Sequence, residues 1–396
     1  MRRQDTAGRA HDLVLHGATG FAGALTAEYL ARHAPDDCRW ALAGRNPGKL
    51  ARLRDRLAEI NPSCADLPLL QADSADRDAL RDLAADTRVV VSTVGPYLRH
   101  GEPLVAACAA AGTDYADLTG EPEFIDRMYL RHEATARSTG ARLVHASGFD
   151  SVPHDLGVHY TVGLLPEGVP VRIDGFVRTD ATISGGTLAS ALTVASRPLA
   201  MARAARERQR AEGRPAGRTV RAPFGPPIRS SETRTWGVPL PTLDPQVIAR
   251  SAAALDRYGP DFRYRHYAGV RRLPIAVGGA VGAGVLCALA QVPPARRWLS
   301  GRLEPGDGPS PERRARSWFA VRFVASGGGR RLITEVSGGD PGYDETAKML
   351  AESALSLAFD DLPDTAGQVT TAVAMGDALT ARLQKAGITF RVVQDR

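Results

Sequence analysis

Three glycines, one arginine and a few acid–base side chains carry most of the chemistry legible in this chain. Gly17-Ala18-Thr19-Gly20-Phe21-Ala22-Gly23 has the spacing G-x-x-G-x-x-G. In such a run Gly17 permits a tight turn, Gly20 lets the backbone approach a pyrophosphate, and Gly23 lets the following helix pack close to a sheet. Ala18 and Thr19 belong to the turn, and Phe21 opens the helix whose first N–H groups meet the phosphate charge. Further along, Ala41-Leu42-Ala43-Gly44-Arg45-Asn46 offers no carboxylate for a ribose 2′-hydroxyl. Arg45, with Asn46 beside it, instead presents a guanidinium suited to a 2′-phosphate, which selects NADP(H) over NAD(H). Asp73 either accepts from an adenine amino group or caps a helix over Ala75–Ala85. Thr93, Val94, Gly95 and Pro96 are expected along the ribose and nicotinamide, and Tyr97 is the first reactive side chain after them.

Two further stretches hold acid–base groups: Thr113-Asp114-Tyr115-Ala116-Asp117-Leu118-Thr119-Gly120-Glu121 and Ser147-Gly148-Phe149-Asp150-Ser151-Val152-Pro153-His154-Asp155. Both follow strand candidates, and strand ends face the ligand in an open α/β sheet. Tyr97, Tyr115, Asp117, Asp150 and His154 are therefore the candidate catalytic residues, each able to relay a proton to a reduced substrate, as is Ser151. The same residue types also serve as helix caps and loop ties, and the sequence leaves that alternative open. Other chemistries are excluded. No tyrosine has a lysine four residues later, and H-E-x-x-H, Cys-x-x-Cys and G-x-S-x-G are absent. The four cysteines, Cys38, Cys64, Cys108 and Cys287, show neither pairing nor metal-ligand spacing, so reduced thiols and no metal site are expected.

These residues need elements to hold them. The first 150 residues alternate strand candidates (Asp12–His16, Arg39–Ala43, Leu67–Gln71, Val89–Thr93, Tyr115–Leu118, Arg142–His145) with helix candidates (Phe21–Arg32, Gly48–Ile60, Ala75–Ala85, Pro103–Ala111, Glu123–Thr139). Such alternation predicts a parallel sheet covered on both faces. The fold class is thus α/β: an N-terminal Rossmann-type doubly wound parallel sheet (residues 1–150), a second α+β domain (151–345), and C-terminal helices (346–396) packing back. Strands are expected in the second domain at Val171–Arg178, Trp318–Ala325 and Arg331–Ser337. Tail helices are expected at Tyr343–Asp360 and Thr370–Ala386.

At 396 residues the chain can bury two cores. Its net charge of +6 rests almost wholly on arginine, since only Lys49, Lys348 and Lys385 are lysines. Nine arginines fall between Arg203 and Arg234, in a stretch that reads as loop-rich. They form either a solvated arm or a docking face for an acidic partner or anionic surface; no motif points to nucleic acid. Residues 274–292 carry no charge but are rich in Gly and Ala. They read as a buried hairpin or as a peripheral membrane contact rather than a span. The basic N-terminus lacks the apolar core of a secretion signal, so a cytoplasmic location is expected, with the membrane periphery as its variant.

Taken together, Gly17 to Gly23, Leu42 to Asn46, Thr93 to Tyr97, Asp114 to Glu121 and Gly148 to Pro153 resemble the saccharopine dehydrogenase-like oxidoreductases. Ser184-Gly185-Gly186-Thr187, Pro305-Gly306-Asp307-Gly308-Pro309-Ser310 and Gly342-Tyr343 resemble the actinobacterial trans-acting enoyl reductase branch. The resemblance implies hydride delivery from NADPH to an α,β-unsaturated acyl thioester in polyketide or lipid biosynthesis, on a small-molecule or carrier-bound acyl substrate. It implies an acidic acyl carrier protein as a partner. Two other readings stand beside it: reduction of an imine, ketone or amino-acid conjugate, and a weakly catalytic nucleotide-binding protein at a lipid surface.

Overall fold

The computed structural model describes residues 8–181, 196–272, 274, 278 and 309–395. The apolar stretch 274–292, the Ser184–Thr187 motif and Cys287 lie outside the described residues, 274 and 278 apart. The chain divides into two units. The first runs to Gly148 and takes in Tyr343–Arg382; the second runs from Phe149 to Gly342 and takes in the chain from Leu383 onward.

The first unit is built on six strands met in turn: β1 (His11–His16), β2 (Trp40–Gly44), β3 (Leu69–Gln71), β4 (Thr87–Ser92), β5 (Asp114–Asp117) and β6 (Arg142–Val144). Between them run α1 (Phe21–His33), α2 (Pro47–Ile60), α3 (Arg77–Ala85), α4 (Tyr97–His100), α5 (Glu102–Ala111) and α6 (Pro122–Thr139). Leu13, Val14 and Leu15 of β1 and Val90 of β4 are fully buried, as strands covered on both faces require. The sheet order is β6-β5-β4-β1-β2-β3, every pairing is parallel, and the strand Gly367–Val369 extends it beyond β6. Chain order therefore reverses between β1 and β4, the crevice where such sheets bind ligands.

Two boundaries differ from the sequence-based expectation. The third helix begins at Arg77 rather than Ala75, because Asp76 caps it by accepting from the Asp78 and Ala79 N–H groups. The tail is not wholly helical. It supplies Asp344–Phe359 as one helix, but the expected Thr370–Ala386 helix breaks into Thr371–Ala374 and Gly376–Lys385. Gly376 has φ +40, outside the range a helix interior allows. The long tail helix is tied to the first unit by buried arginine. The Arg142 Nη2 donates to Asp114 Oδ2 at 2.6 Å and to the Leu357 carbonyl at 3.3 Å, and Tyr29 Oη donates to Glu352 at 2.8 Å.

The second unit is a mixed sheet with one leading helix, α7 (Val152–Gly163). Its strands are β7 (Val171–Thr179), β8 (Thr219–Arg221), β9 (Ile228–Ser230), β10 (Thr235–Pro239), β11 (Asp261–Val270), β12 (Phe319–Gly327), β13 (Arg330–Gly338) and, after the tail, a strand Thr389–Asp395. The order is Thr389–Asp395, β13, β12, β7, β11, β10, β9, with β8 beside β11; β7 and β11 are parallel. The helix Asp244–Ala254 joins α7 through Ser251 Oγ, which donates to the buried Asp155 carboxylate at 2.5 Å. The arginine-rich stretch is not a loop as expected: its first half is the helix Pro198–Glu212. Intrahelical pairing supports that helix, since Arg203 and Arg208 meet Glu207 and Glu212 four residues on.

Candidate functional site

The glycine turn is the best-defined feature of the first unit. Gly17 has φ +86, which only glycine adopts without strain. Its N–H donates to the Ala43 carbonyl at 2.9 Å, and its own carbonyl accepts from Gly20 N at 3.0 Å. Thr93 Oγ1 donates to the Gly17 carbonyl at 3.0 Å, so the end of β4 braces the turn from beneath. A Cβ at Gly23 would stand 2.3 Å from that same carbonyl, which is why the helix can lie so close to the sheet. Gly20 differs: a Cβ there would meet nothing nearer than the Gly17 carbonyl at 3.4 Å. The exposed Thr19 and Gly20 lead into α1, whose first turn holds no acidic residue and whose cap, Gly20, contributes no side-chain hydrogen bond. First-turn N–H groups have no acceptor within a helix. The turn therefore offers donors and an open approach, which fits a nucleotide pyrophosphate.

Around it the other expected cofactor residues take distinct places. Arg45 is exposed at the end of β2 and makes no hydrogen bond or ion pair among the described residues. Asn46 caps α2 through Oδ1, which accepts from Lys49 N at 3.0 Å. Asp73 accepts from Ala75 N at 2.9 Å in a local turn, while the capping role falls to Asp76. Ala18 is fully buried beneath the turn, and Phe21 packs edge-to-face on Tyr343 with ring centroids 4.7 Å apart. Val94, Gly95 and Pro96 lead from β4 to α4. His16, at the end of β1, is a buried group the sequence reading passed over; burial pushes its imidazole down to about 4, so it is neutral at pH 7.

The five expected catalytic residues fall into three buried at the strand ends of the first unit and two at the start of the second. Tyr97 is buried, its hydroxyl donating to the Ser92 carbonyl at 2.9 Å and accepting from Leu118 N at 3.1 Å. Burial first, and then the Asp117 charge, drives the Tyr97 phenol well above its usual range. Tyr115 is fully buried against the His145 ring, and burial drives its phenol up likewise. Asp117 accepts from Thr119 N and Ala146 N at 3.0 and 2.9 Å and meets His145 Nδ1 at 2.7 Å. Tyr97 and Asp117 hold the ends of β4, β5 and β6 together, whereas the Tyr115 hydroxyl is buried without a hydrogen-bond partner among the described residues. Glu121 joins them, its carboxylate accepting from Tyr97 N and Leu98 N at 3.0 and 2.9 Å. The contacts of Tyr97, Asp117 and Glu121 brace the strand ends of the sheet.

Asp150 and His154 open the second unit. Asp150 is half-buried and makes no hydrogen bond or ion pair among the described residues. Burial, then the neighbouring Asp244 charge, raises its carboxyl to about 6. His154 is buried in the first turn of α7, where Ser151 is also fully buried. Beside it stand Asp244 and His266, neither of which the sequence reading singled out. Nothing in local spacing could have found them, because a helix start and a mid-strand position meet only in the folded unit.

The chain is similar to known proteins along nearly its whole length. Residues 13–144 match the family model described as the saccharopine dehydrogenase NADP binding domain. A Mycobacterium ulcerans protein named trans-acting enoyl reductase is 35% identical over 97% of this chain and 98% of its own length. A Mycobacterium leprae protein of the same name is 36% identical over 96% and 97%. A Mycobacterium tuberculosis protein, to which the same activity is assigned provisionally, is 40% identical over 98% of both chains. Among solved structures, the glutamate-forming saccharopine dehydrogenase of Saccharomyces cerevisiae superposes with a TM-score of 0.53 at 12% identity, covering 96% of this chain and 99% of that one. That likeness shows the fold alone. No helix among the described residues is long and apolar enough to cross a membrane.

Proposed function

The chain belongs to the trans-acting enoyl reductase family of saccharopine dehydrogenase-like oxidoreductases, and from that premise we propose that it is an NADPH-dependent reductase of α,β-unsaturated acyl thioesters. The observation that carries the reading is full-length identity of 35–40% to the mycobacterial relatives, joined to a glycine turn with an open face for a pyrophosphate. A nicotinamide cofactor is bound by the first unit. NADP(H) is favoured over NAD(H) because the exposed guanidinium of Arg45 ends β2 where a carboxylate would repel a 2′-phosphate.

Reduction of an enoyl thioester needs a hydride at the β-carbon and a proton at the α-carbon. The nicotinamide, when bound, supplies the hydride. Thr19, Gly20 and the start of α1 hold the pyrophosphate, while Thr93 fixes the turn that presents it. Asp150 is the candidate for the proton: of the five residues named above, it alone is both partly accessible and unengaged. Its carboxyl, raised to about 6, retains a proton close to neutrality more readily than an ordinary aspartate. The exposed Arg206, Arg210 and Arg214 carry no ion pair among the described residues and suit an acidic acyl carrier protein.

The test is NADPH consumption with an enoyl thioester of pantetheine or of a carrier protein, for the native chain and two variants. Arg45→Ala should weaken NADPH binding about tenfold or more and leave NADH binding unchanged. Asp150→Asn should bind NADPH normally and turn over slowly. No consumption by the native chain with any enoyl thioester would overturn the reading.

A further inference from the structure

Three side chains from separate elements converge inside the second unit. His154 comes from the first turn of α7, Asp244 is the first residue of the helix Asp244–Ala254, and His266 lies in β11. Their side chains are 2%, 4% and 2% exposed. His154 Nδ1 stands 2.8 Å from Asp244 Oδ1, and His266 Nε2 stands 3.5 Å from Asp244 Oδ2. One ligand-type atom of each residue falls within 4.8 Å of the other two.

Although His154 Nδ1 and Asp244 Oδ1 stand 2.8 Å apart, neither atom, nor His154 Nε2, reaches hydrogen-bond geometry with a partner among the described residues. Two ligands of one ion can stand this close without bonding to each other, because each lone pair points at the ion rather than at the other ligand. Metal–ligand bonds of about 2.1 Å at tetrahedral or octahedral angles put neighbouring ligand atoms about 3–3.5 Å apart. The observed separations bracket that range. Buried polar atoms left unpartnered are uncommon in native interiors, and an ion is one of the usual reasons for them.

His266 has an outer partner compatible with the same role. Its Nδ1 is 2.7 Å from the buried hydroxyl of Tyr264. With the ring proton on Nδ1 donated to that oxygen, Nε2 keeps its lone pair toward Asp244. Metal-binding histidines are commonly held by such an outer hydrogen bond on the opposite nitrogen.

We propose that His154, Asp244 and His266 bind one divalent transition-metal ion, of the zinc type, inside the second unit. Two imidazole nitrogens and one carboxylate match the ligand preference of that class, and they leave a coordination position open. The ion ties the start of α7, the start of the helix Asp244–Ala254 and the middle of β11 to one point, so its first consequence is stability of the second unit. The inference rests on this unit's own geometry and does not need the reductase reading, although an ion there would offset the Asp244 charge that, after burial, helps raise the Asp150 carboxyl.

The experiment uses the untagged full-length chain, stripped with a chelator, dialysed, and titrated with Zn²⁺ or Co²⁺. Elemental analysis should find one metal per chain after reloading. Bound Co²⁺ should show the visible ligand-field absorption of a nitrogen- and oxygen-ligated site. The thermal midpoint should rise by about 5–10 °C at metal concentrations a hundredfold above the dissociation constant. His266→Gln should lose the Co²⁺ spectrum and the midpoint shift together. If the native chain takes up neither ion and its midpoint does not move, the proposal fails. It fails equally if His266→Gln binds Co²⁺ with the native spectrum, since the ion then sits elsewhere.

Discussion

Alanine at each glycine of the Gly17–Gly23 turn should separate folding from nucleotide binding. A Cβ at Gly23 would lie 2.3 Å from the Gly17 carbonyl oxygen, 2.8 Å from Thr93 Oγ1 and 3.0 Å from the Ala18 carbonyl carbon. Two of these are backbone atoms that cannot rotate away, so Gly23→Ala must push α1 off the sheet, at an overpacking cost of about 1–3 kcal/mol. Gly17→Ala meets Val94 Cγ2 at 2.6 Å and must also hold φ +86. The left-handed backbone adds about 1–2 kcal/mol to a similar overpacking cost. Gly20→Ala is different, because φ −75 and ψ 167 suit any residue and the nearest atom is 3.4 Å away. Its only folding cost is a poorer helix cap, about 0.5–1 kcal/mol. Yet its methyl would stand on the open side of the turn, where the pyrophosphate must come close. Thermal denaturation should show a drop of about 2–4 °C or less for Gly20→Ala and a larger one for the other two. NADPH titration followed by fluorescence should show binding weakened at least about tenfold in Gly20→Ala, or about 1.4 kcal/mol. A Gly20→Ala protein that binds NADPH as the native chain does would refute the assignment of that face. A Gly23→Ala protein that melts with the native chain would refute the packing argument.

Three further outcomes follow from particular contacts. Arg142→Ala leaves the Asp114 carboxylate buried without its 2.6 Å partner, and should destabilise the chain by about 3–5 kcal/mol in urea unfolding; an unchanged midpoint would contradict that. His16 is held down to about 4 by burial against about 6.5 when unfolded, so its neutral form is stable in the fold above pH 6.5 and loses about 3 kcal/mol as pH falls through 4. His16→Gln should flatten that part of the stability–pH curve, and parallel curves for the two proteins would remove His16 as the cause. Replacing Arg206, Arg210 and Arg214 by glutamine should raise KM for a carrier-bound substrate while leaving the pantetheine thioester unaffected. An equal effect on both substrates would exclude carrier docking.

Most of the first unit was legible in sequence because its strands are buried on both faces and its turns carry glycine. Leu13-Val14-Leu15 and Val89-Val90-Val91 can hardly be anything but central strands, and Gly17 to Gly23 has one natural place beside them. The strand Thr389–Asp395 escaped because it is an edge strand with mostly exposed side chains, so no apolar run marks it. The tail helix broke at Gly376 for a backbone reason that a helical pattern hides. Among the expected acid–base groups, Tyr97, Tyr115 and Asp117 looked reactive by type and position. The Tyr97 hydroxyl and the Asp117 carboxylate turn inward to join strand ends, and the Tyr115 hydroxyl is buried, which only the fold reveals. Asp244 and His266 were invisible for the opposite reason. Each lies far along the chain from His154, and only tertiary packing brings them to it.

The fate of the transferred hydride distinguishes enoyl reduction from every other reduction. NADPH carrying deuterium at the nicotinamide C4 is incubated with the native chain and an enoyl thioester in ordinary water, and the saturated product is analysed by NMR. Enoyl reduction places deuterium at the β-carbon and solvent hydrogen at the α-carbon, with slower labelling when NADH replaces NADPH. Deuterium at any carbonyl- or imine-derived carbon, or a thioester returned unreduced, would contradict it.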